Sequence, residues 1–188
     1  MIYFLDFDGC LHRFLPLEGE DEASNALFAF VPLFEEAIRQ CKKECGKVEI
    51  VVSSSWRHKH SLEQMKQNFS SDIQEMIIGV TPKIGAGASS GARQDEVELW
   101  LRQQGRVGEP WIGIDDYPQL YKEGATVVAC YDQFAERETQ LLLEATKDPK
   151  AFAQKYPVPL PYNHSSAHHS NDEQTQEKKA GANSNTLR

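Results

Sequence analysis

Apolar residues along most of the chain fall into two spacings. Ile2–Leu5, Val48–Val52, Ile77–Val80, Trp111–Ile114 and Ala125–Cys130 are short, nearly unbroken runs, the pattern of strands buried on both faces. Elsewhere apolar residues recur every third or fourth position, which gathers them on one side of a helix. Val31, Phe34, Ala37, Ile38 and Cys41 predict a helix with Pro32 in its first turn, where a missing N–H costs nothing, and an end at Gly46. Ser61 and Gln64 make a capping box for a short helix carrying Leu62, Met65 and Phe69 on one face. Val97, Trp100 and Leu101 predict a helix over Arg93–Gln104 that closes at Gly105; Pro118 opens a brief helix, and Phe134–Ala145 forms a long one.

Strands that alternate with helices in this way build a mostly parallel sheet covered on both faces, so the fold class is α/β. The alternation fades near residue 160. From residue 163 to 188 the chain turns to His, Ser, Asn, Gln and Lys, with too little apolar surface to offset the entropy of ordering, and a disordered polar tail is expected there. His164, His168 and His169 belong to that solvated stretch. A length of 188 residues with 40% hydrophobic content suits one domain, residues 1–160, and no second.

Composition then narrows the function. A net charge of −8 lacks the broad positive field that draws proteins to nucleic-acid backbones, so any such contact must be local. No stretch approaches the roughly 18 apolar residues of a membrane helix, and no basic leader precedes an apolar run. A soluble, cytoplasmic protein is expected, its four cysteines (Cys10, Cys41, Cys45 and Cys130) reduced and packed as small hydrophobes. Cys41 and Cys45 stand four apart, but no second His or Cys pair completes a zinc set.

Ligands of a parallel sheet bind at the carboxyl ends of its strands, where the chain order reverses. Here those ends carry Asp6-Phe7-Asp8-Gly9, then Ser53-Ser54-Ser55, then Asp115-Asp116. Two carboxylates one residue apart, with glycine following, can turn together into one cleft, and Asp115 or Asp116 would join them. Three carboxylates in a small site repel one another unless a hard cation neutralises them; Mg2+, held by oxygen ligands, fits best. Such an ion also shields an anionic nucleophile approaching a phosphate.

These residues resemble the haloacid dehalogenase (HAD) superfamily of phosphatases. Phe4-Leu5-Asp6-Phe7-Asp8-Gly9 is similar to its first motif, Val51-Val52-Ser53 to its second, and Ile112-Gly113-Ile114-Asp115-Asp116 to its fourth. The third motif, a basic residue, is matched best by Arg93 at a helix start, as in capless members such as the phosphatase-like domain of some RNA repair proteins; Lys83 is the rival. The resemblance implies a Rossmann-like three-layer sandwich with no large cap domain. It also implies that Asp6 attacks phosphorus to form an aspartyl-phosphate, and that Asp8 protonates the leaving group and then activates water. Ser53, with Ser54 in reserve, would contact the phosphoryl oxygens; Asp6, the Asp8 carbonyl and Asp115 or Asp116 would hold Mg2+.

Arg57 has two readings, a contact to substrate phosphate or a pair with a nearby acid. Trp56 reads as packing at the sheet end, and His12 as an exposed loop residue. A nicotinamide-binding fold is disfavoured because Gly85-Ala86-Gly87-Ala88-Ser89-Ser90-Gly91 places serine where the fingerprint needs its third glycine. A phospho-acceptor receiver domain lacks the expected later Ser or Thr and Lys strand ends. A catalytically inactive member that binds a phosphorylated ligand or a protein would not require both Asp6 and Asp8. With neither interval between motifs large enough for a cap, the open cleft suits a phosphorylated substrate such as a nucleotide or a nucleic-acid terminus.

Overall fold

A computed structural model describes residues 1–84 and 91–159. The expected tail with its three histidines, and residues 85–90 of the glycine-rich loop, lie outside them. Five strands form one sheet in the order β3-β2-β1-β4-β5, every neighbouring pair parallel. They are β1 Ile2–Leu5, β2 Glu49–Val52, β3 Ile77–Val80, β4 Trp111–Asp115 and β5 Val127–Ala129. The helices are α1 Val31–Cys45, α2 Leu62–Lys66, α3 Ser71–Met76, α4 Ala92–Gln103, α5 Glu136–Lys147 and α6 Pro149–Lys155.

The unbroken apolar run of β1 follows from its central place: all four residues are buried, and they alternate between two helical layers. Tyr3 and Leu5 pack with Phe34, Ala37 and Ile38 of α1 and with Leu142 and Ala145 of α5. Ile2 and Phe4 pack on the other face with Val97, Trp100 and Leu101 of α4. The Phe4 ring meets Trp100 and Trp111 edge-on at 5.6 and 5.8 Å, the geometry ring quadrupoles favour. This is the expected three-layer arrangement.

Two short helices, α3 and α6, have no counterpart in the sequence pattern. The α2 helix has its capping box but ends at Lys66, where the Asn68 side chain bonds the Met65 carbonyl at 3.0 Å; Phe69 is buried beyond the helix rather than on it. The chain then starts α3, whose approach is held by Glu35 of α1, accepting from the Ser70 N–H at 2.6 Å. That contact comes from far along the chain, so no local pattern signals it. At the other end Asp148 caps α6 by accepting from the Ala151 N–H at 3.0 Å, with Pro149 in the first turn.

From β1 the chain moves outward through β2 and β3, then returns through α4 to β4 on the opposite side of β1. Chain order therefore reverses between β1 and β4, and the segments leaving their carboxyl ends diverge around a crevice. No cap covers it among the described residues. The interval after β1 is filled by a surface loop that Arg13 ties down through Glu20 and Asp132, both at 2.9 Å, and then by α1. No helix among the described residues is long and apolar enough to cross a membrane.

Gly113, in the middle of β4, is required by a close approach: a β-carbon there would stand 2.9 Å from the Tyr121 ring. Replacing it with alanine should lower stability by about 1–3 kcal/mol, the usual cost of overpacking, measured as a shift of the urea midpoint. An unchanged midpoint would mean that the Tyr121 ring is free to move aside.

Candidate active site

The crevice is built from the residues immediately beyond β1, β2 and β4 and from the first turn of α4. Asp6 extends the ladder of β1, its N–H bonding the Ile114 carbonyl at 2.9 Å, and is only 5% exposed. Its Oδ1 accepts from the Phe7 N–H at 2.7 Å, and its Oδ2 from Arg93 Nη2 at 3.1 Å. The chain then turns sharply at Gly9, whose φ is +66°. A β-carbon on Gly9 would lie 2.4 Å from Asp116 Oδ2, so glycine is what lets the first-strand loop press against the fourth-strand acids.

Asp115 is fully buried. Its Oδ1 accepts from the Tyr117 N–H at 2.9 Å and its Oδ2 from the Tyr121 hydroxyl at 3.2 Å; Oδ2 also lies 3.1 Å from Arg93 Nε in an ion pair. Arg93 therefore bridges β1 and β4, one guanidinium between two carboxylates. Asp6, Asp115 and Asp116 each present an oxygen, and the three oxygens lie within 4.8 Å of one another. Burial pushes all three carboxyls up from the ordinary range, and neighbouring carboxylates add to it, Asp8 for Asp6, and Asp6 for Asp115 and Asp116; Asp116 reaches about 6. Burial also opposes the charge on Arg93, but Asp115 and Asp6 outweigh it and keep the guanidinium protonated. One cation against three acids leaves negative charge uncompensated, and an all-oxygen donor set fits a hard divalent ion.

Asp8 stands at the opposite side of the turn, half-buried, and is surrounded by donors. Oδ1 lies 3.0 Å from His12 Nε2 and accepts from Trp56 Nε1 at 3.0 Å; Oδ2 accepts from the Ser55 hydroxyl at 3.3 Å. The His12 hydrogen bond, followed by those of Trp56 and Ser55, holds this carboxyl below the usual range in spite of burial. His12 is thus not the exposed loop residue the sequence suggests: it is 4% exposed, because Leu11 N–H bonds the Phe7 carbonyl at 2.8 Å and winds the turn tightly. That winding brings position 12 under Asp8, four residues earlier, as on a helix face. The four-residue spacing is the signal in the sequence that could have found it.

The remaining candidates separate. Ser53 has its hydroxyl 3.5 Å from that of Thr81; Ser54 Oγ accepts from the Trp56 N–H at 3.4 Å, and its hydroxyl is near enough to Asp6 to hold that carboxyl down. Arg57 takes the acid-pair reading: its Nη2 lies 2.6 Å from Glu96, its Nη1 donates to the Ser54 carbonyl at 2.6 Å, and the pair is nearly buried. Each terminal nitrogen spends one of its two N–H groups in these contacts. Lys83 is exposed and forms no ion pair among the described residues, while Arg93 sits on Asp6. Tyr121, missed in the sequence, is a second holder of Asp115.

Residues 2–140, which include all five strands, match the family described as the HAD domain in Swiss Army Knife RNA repair proteins. The chain belongs to this family. No curated protein and no solved structure matches it. The HAD superfamily is one of hydrolases and phosphatases, and in this HAD domain the crevice carries no cap among the described residues.

The raised Asp116 carboxyl gives the HAD domain a pH signature. A carboxyl that binds its proton more tightly when folded contributes stability below about pH 4, and that contribution is lost as pH rises through about 6. Without divalent ions, the difference in Tm between Asp116→Asn and the parent should therefore grow in favour of the variant as pH rises from about 4.5 to about 7.5. A hard divalent cation should raise the parent's Tm at about pH 7.5 much more than at about pH 5. Thermal shifts equal at both pH values would show that these acids do not form a cation site.

Proposed function

We propose that this HAD domain is a magnesium-dependent phosphomonoesterase that works through an aspartyl-phosphate on Asp6. The observation that carries the reading is the unlike surroundings of two carboxyls on one turn: Asp6 meets Arg93 and clusters with Asp115 and Asp116, and Asp8 is bonded by Trp56 and His12. One carboxylate is set among charges suited to a phosphoryl group, and the other is set to move a proton.

In this reading an oxygen of Asp6 forms a bond to phosphorus as the bond to the leaving-group oxygen breaks, and Asp8 delivers a proton to that oxygen. Asp8 then takes a proton from the water that displaces the Asp6 carboxylate and releases inorganic phosphate. Arg93, fixed by Asp115, holds Asp6 in place and offers its remaining N–H groups to the phosphoryl oxygens; the Ser54 hydroxyl adds a neutral donor. Magnesium, held by Asp6, Asp115, Asp116 and the Asp8 carbonyl, would neutralise the gathered acids and the charge on the phosphoryl group.

The substrate proposed is a phosphorylated nucleic-acid end or a nucleotide. Two facts support it: the family takes its description from RNA repair proteins, and the crevice has no cap among the described residues to enclose a small metabolite. With a chain charge of −8, contact with a polyanion would be confined to the terminus at the site.

Turnover of p-nitrophenyl phosphate, nucleotides and 3'- and 5'-phosphorylated oligonucleotides with magnesium tests the proposal. Asp6→Asn should reduce phosphate release to background, Asp8→Asn should reduce it by about 10²–10⁴-fold, and Arg93→Ala by about 10²–10³-fold. A parent protein that binds phosphorylated oligonucleotides and releases no phosphate would replace this reading with that of an inactive binding module.

A further inference from the structure

The surroundings of Asp8 go beyond what an acid–base carboxylate on an open loop requires. Two N–H-bearing rings from separate parts of the chain converge on one oxygen, Oδ1, while Oδ2 receives only the longer Ser55 contact at 3.3 Å. His12 lies on the turn after β1 and Trp56 on the single 3-10 turn, Ser55–His58, that follows β2. The rings are set among other aromatic groups: His12 against Phe28 and Trp56 at centroid distances of 5.1 and 5.6 Å, and Trp56 stacked on His60 at 4.9 Å. The two rings meet edge to face.

His12 Nδ1 is buried without a hydrogen-bond partner. Nε2 stands 3.0 Å from Asp8 Oδ1; a carboxylate oxygen has no hydrogen to give, so this nitrogen carries the hydrogen and His12 is a second donor to Oδ1. Oδ1 is then saturated by Trp56 and His12.

We infer that His12 and Trp56 are positioning residues that pin Oδ1 of Asp8, so that Oδ2 is the oxygen that carries the proton to the leaving group. A carboxyl torsion is broad when unrestrained and exchanges its two oxygens; two N–H donors on one oxygen keep negative charge there and leave the other to bear the proton. As the phosphorus–oxygen bond to the leaving group breaks and the Asp6 oxygen–phosphorus bond forms, the Oδ2 proton passes to the departing oxygen. In the second step water returns a proton to Oδ2 as its oxygen displaces Asp6 from phosphorus. This inference rests on Asp8 being the acid–base residue.

The test is the dependence of kcat/KM on leaving group, across magnesium-supported hydrolysis of aryl phosphates from dinitrophenyl to phenyl and of an alkyl phosphate. The ratio kcat/KM reports steps up to leaving-group departure, and a good leaving group needs no proton. Trp56→Phe keeps a ring and removes the N–H; His12→Phe keeps a ring in the aromatic box. Each should lose about tenfold to a hundredfold on the poorest leaving group and about threefold or less on the best. His12→Gln, which restores an N–H donor, should recover part of the loss. Equal losses across the series, or none, in variants whose thermal midpoint stays near the parent's would overturn the inference and leave both rings as packing. Should His12→Phe fail to fold, Trp56→Phe decides alone. Asp8→Asn run on the same series separates the two readings: if its dependence on leaving group matches the parent's, Asp8 is not the acid and the underlying reading fails.

Discussion

Three carboxylates and one guanidinium share the point where the order of the strands reverses, and much of the surrounding structure exists to hold that uneven charge out of water. Asp6, Asp115 and Asp116 bring their oxygens within 4.8 Å of one another, and Arg93 answers two of them. Burying unpaired charge is costly, so the two deepest acids are fixed by further donors: Phe7 N–H for Asp6, Tyr117 N–H and Tyr121 for Asp115. The same constraint explains two glycines. Gly9 allows the loop after β1 to touch Asp116, and Gly113 allows Tyr121 to lie across β4 and reach Asp115. The placement of α4 follows too, since Val97, Trp100 and Leu101 seat it on Ile2, Phe4 and Val51, and Arg93 is in its first turn.

Much of this was legible in the sequence because the residues concerned are read by local rules. Short apolar runs located all five strands, and their acidic or hydroxylic ends named Asp6, Asp8, Asp115 and Asp116 as neighbours. Arg93 was legible as a basic residue opening an amphipathic helix. What was not legible depends on contacts distant in sequence or on a single residue of strand register. Side chains alternate at the end of a strand, so Ser53 and Ser54 point opposite ways, and composition alone does not say which meets Asp6. Glu35 supports the start of α3 and Glu96 takes Arg57 across separations that periodicity does not cover. His12 was obscured for a different reason: a turn wound like a helix lies inside what reads as loop.

The absence of a cap changes how the crevice must work. A lid normally excludes water and strengthens the electrostatic interactions beneath it. Here, among the described residues, that work falls to side chains already buried at the sheet end. Asp115, Ser53 and Ser54 are inaccessible and Asp6 and His12 nearly so, while Asp8 is half-buried at the mouth. The depth of the site is therefore graded, with Asp6 and Asp115 deepest and Asp116 and Asp8 nearer solvent; in the proposed reaction this grading would leave the departing part of a large substrate outside the protein.

Asp6 and Asp8 illustrate how environment assigns different roles to identical groups two residues apart. Burial raises the first, and the His12, Trp56 and Ser55 donors lower the second. In isolation this ordering looks inverted for a nucleophile and an acid, since the group that must be anionic is the one burial protonates. In the proposed reaction both shifts would reverse: a cation among Asp6, Asp115 and Asp116 would favour their ionised forms, and a phosphoryl dianion beside Asp8 would favour its protonated carboxyl. Acid–base readiness would then be coupled to the binding of cation and substrate.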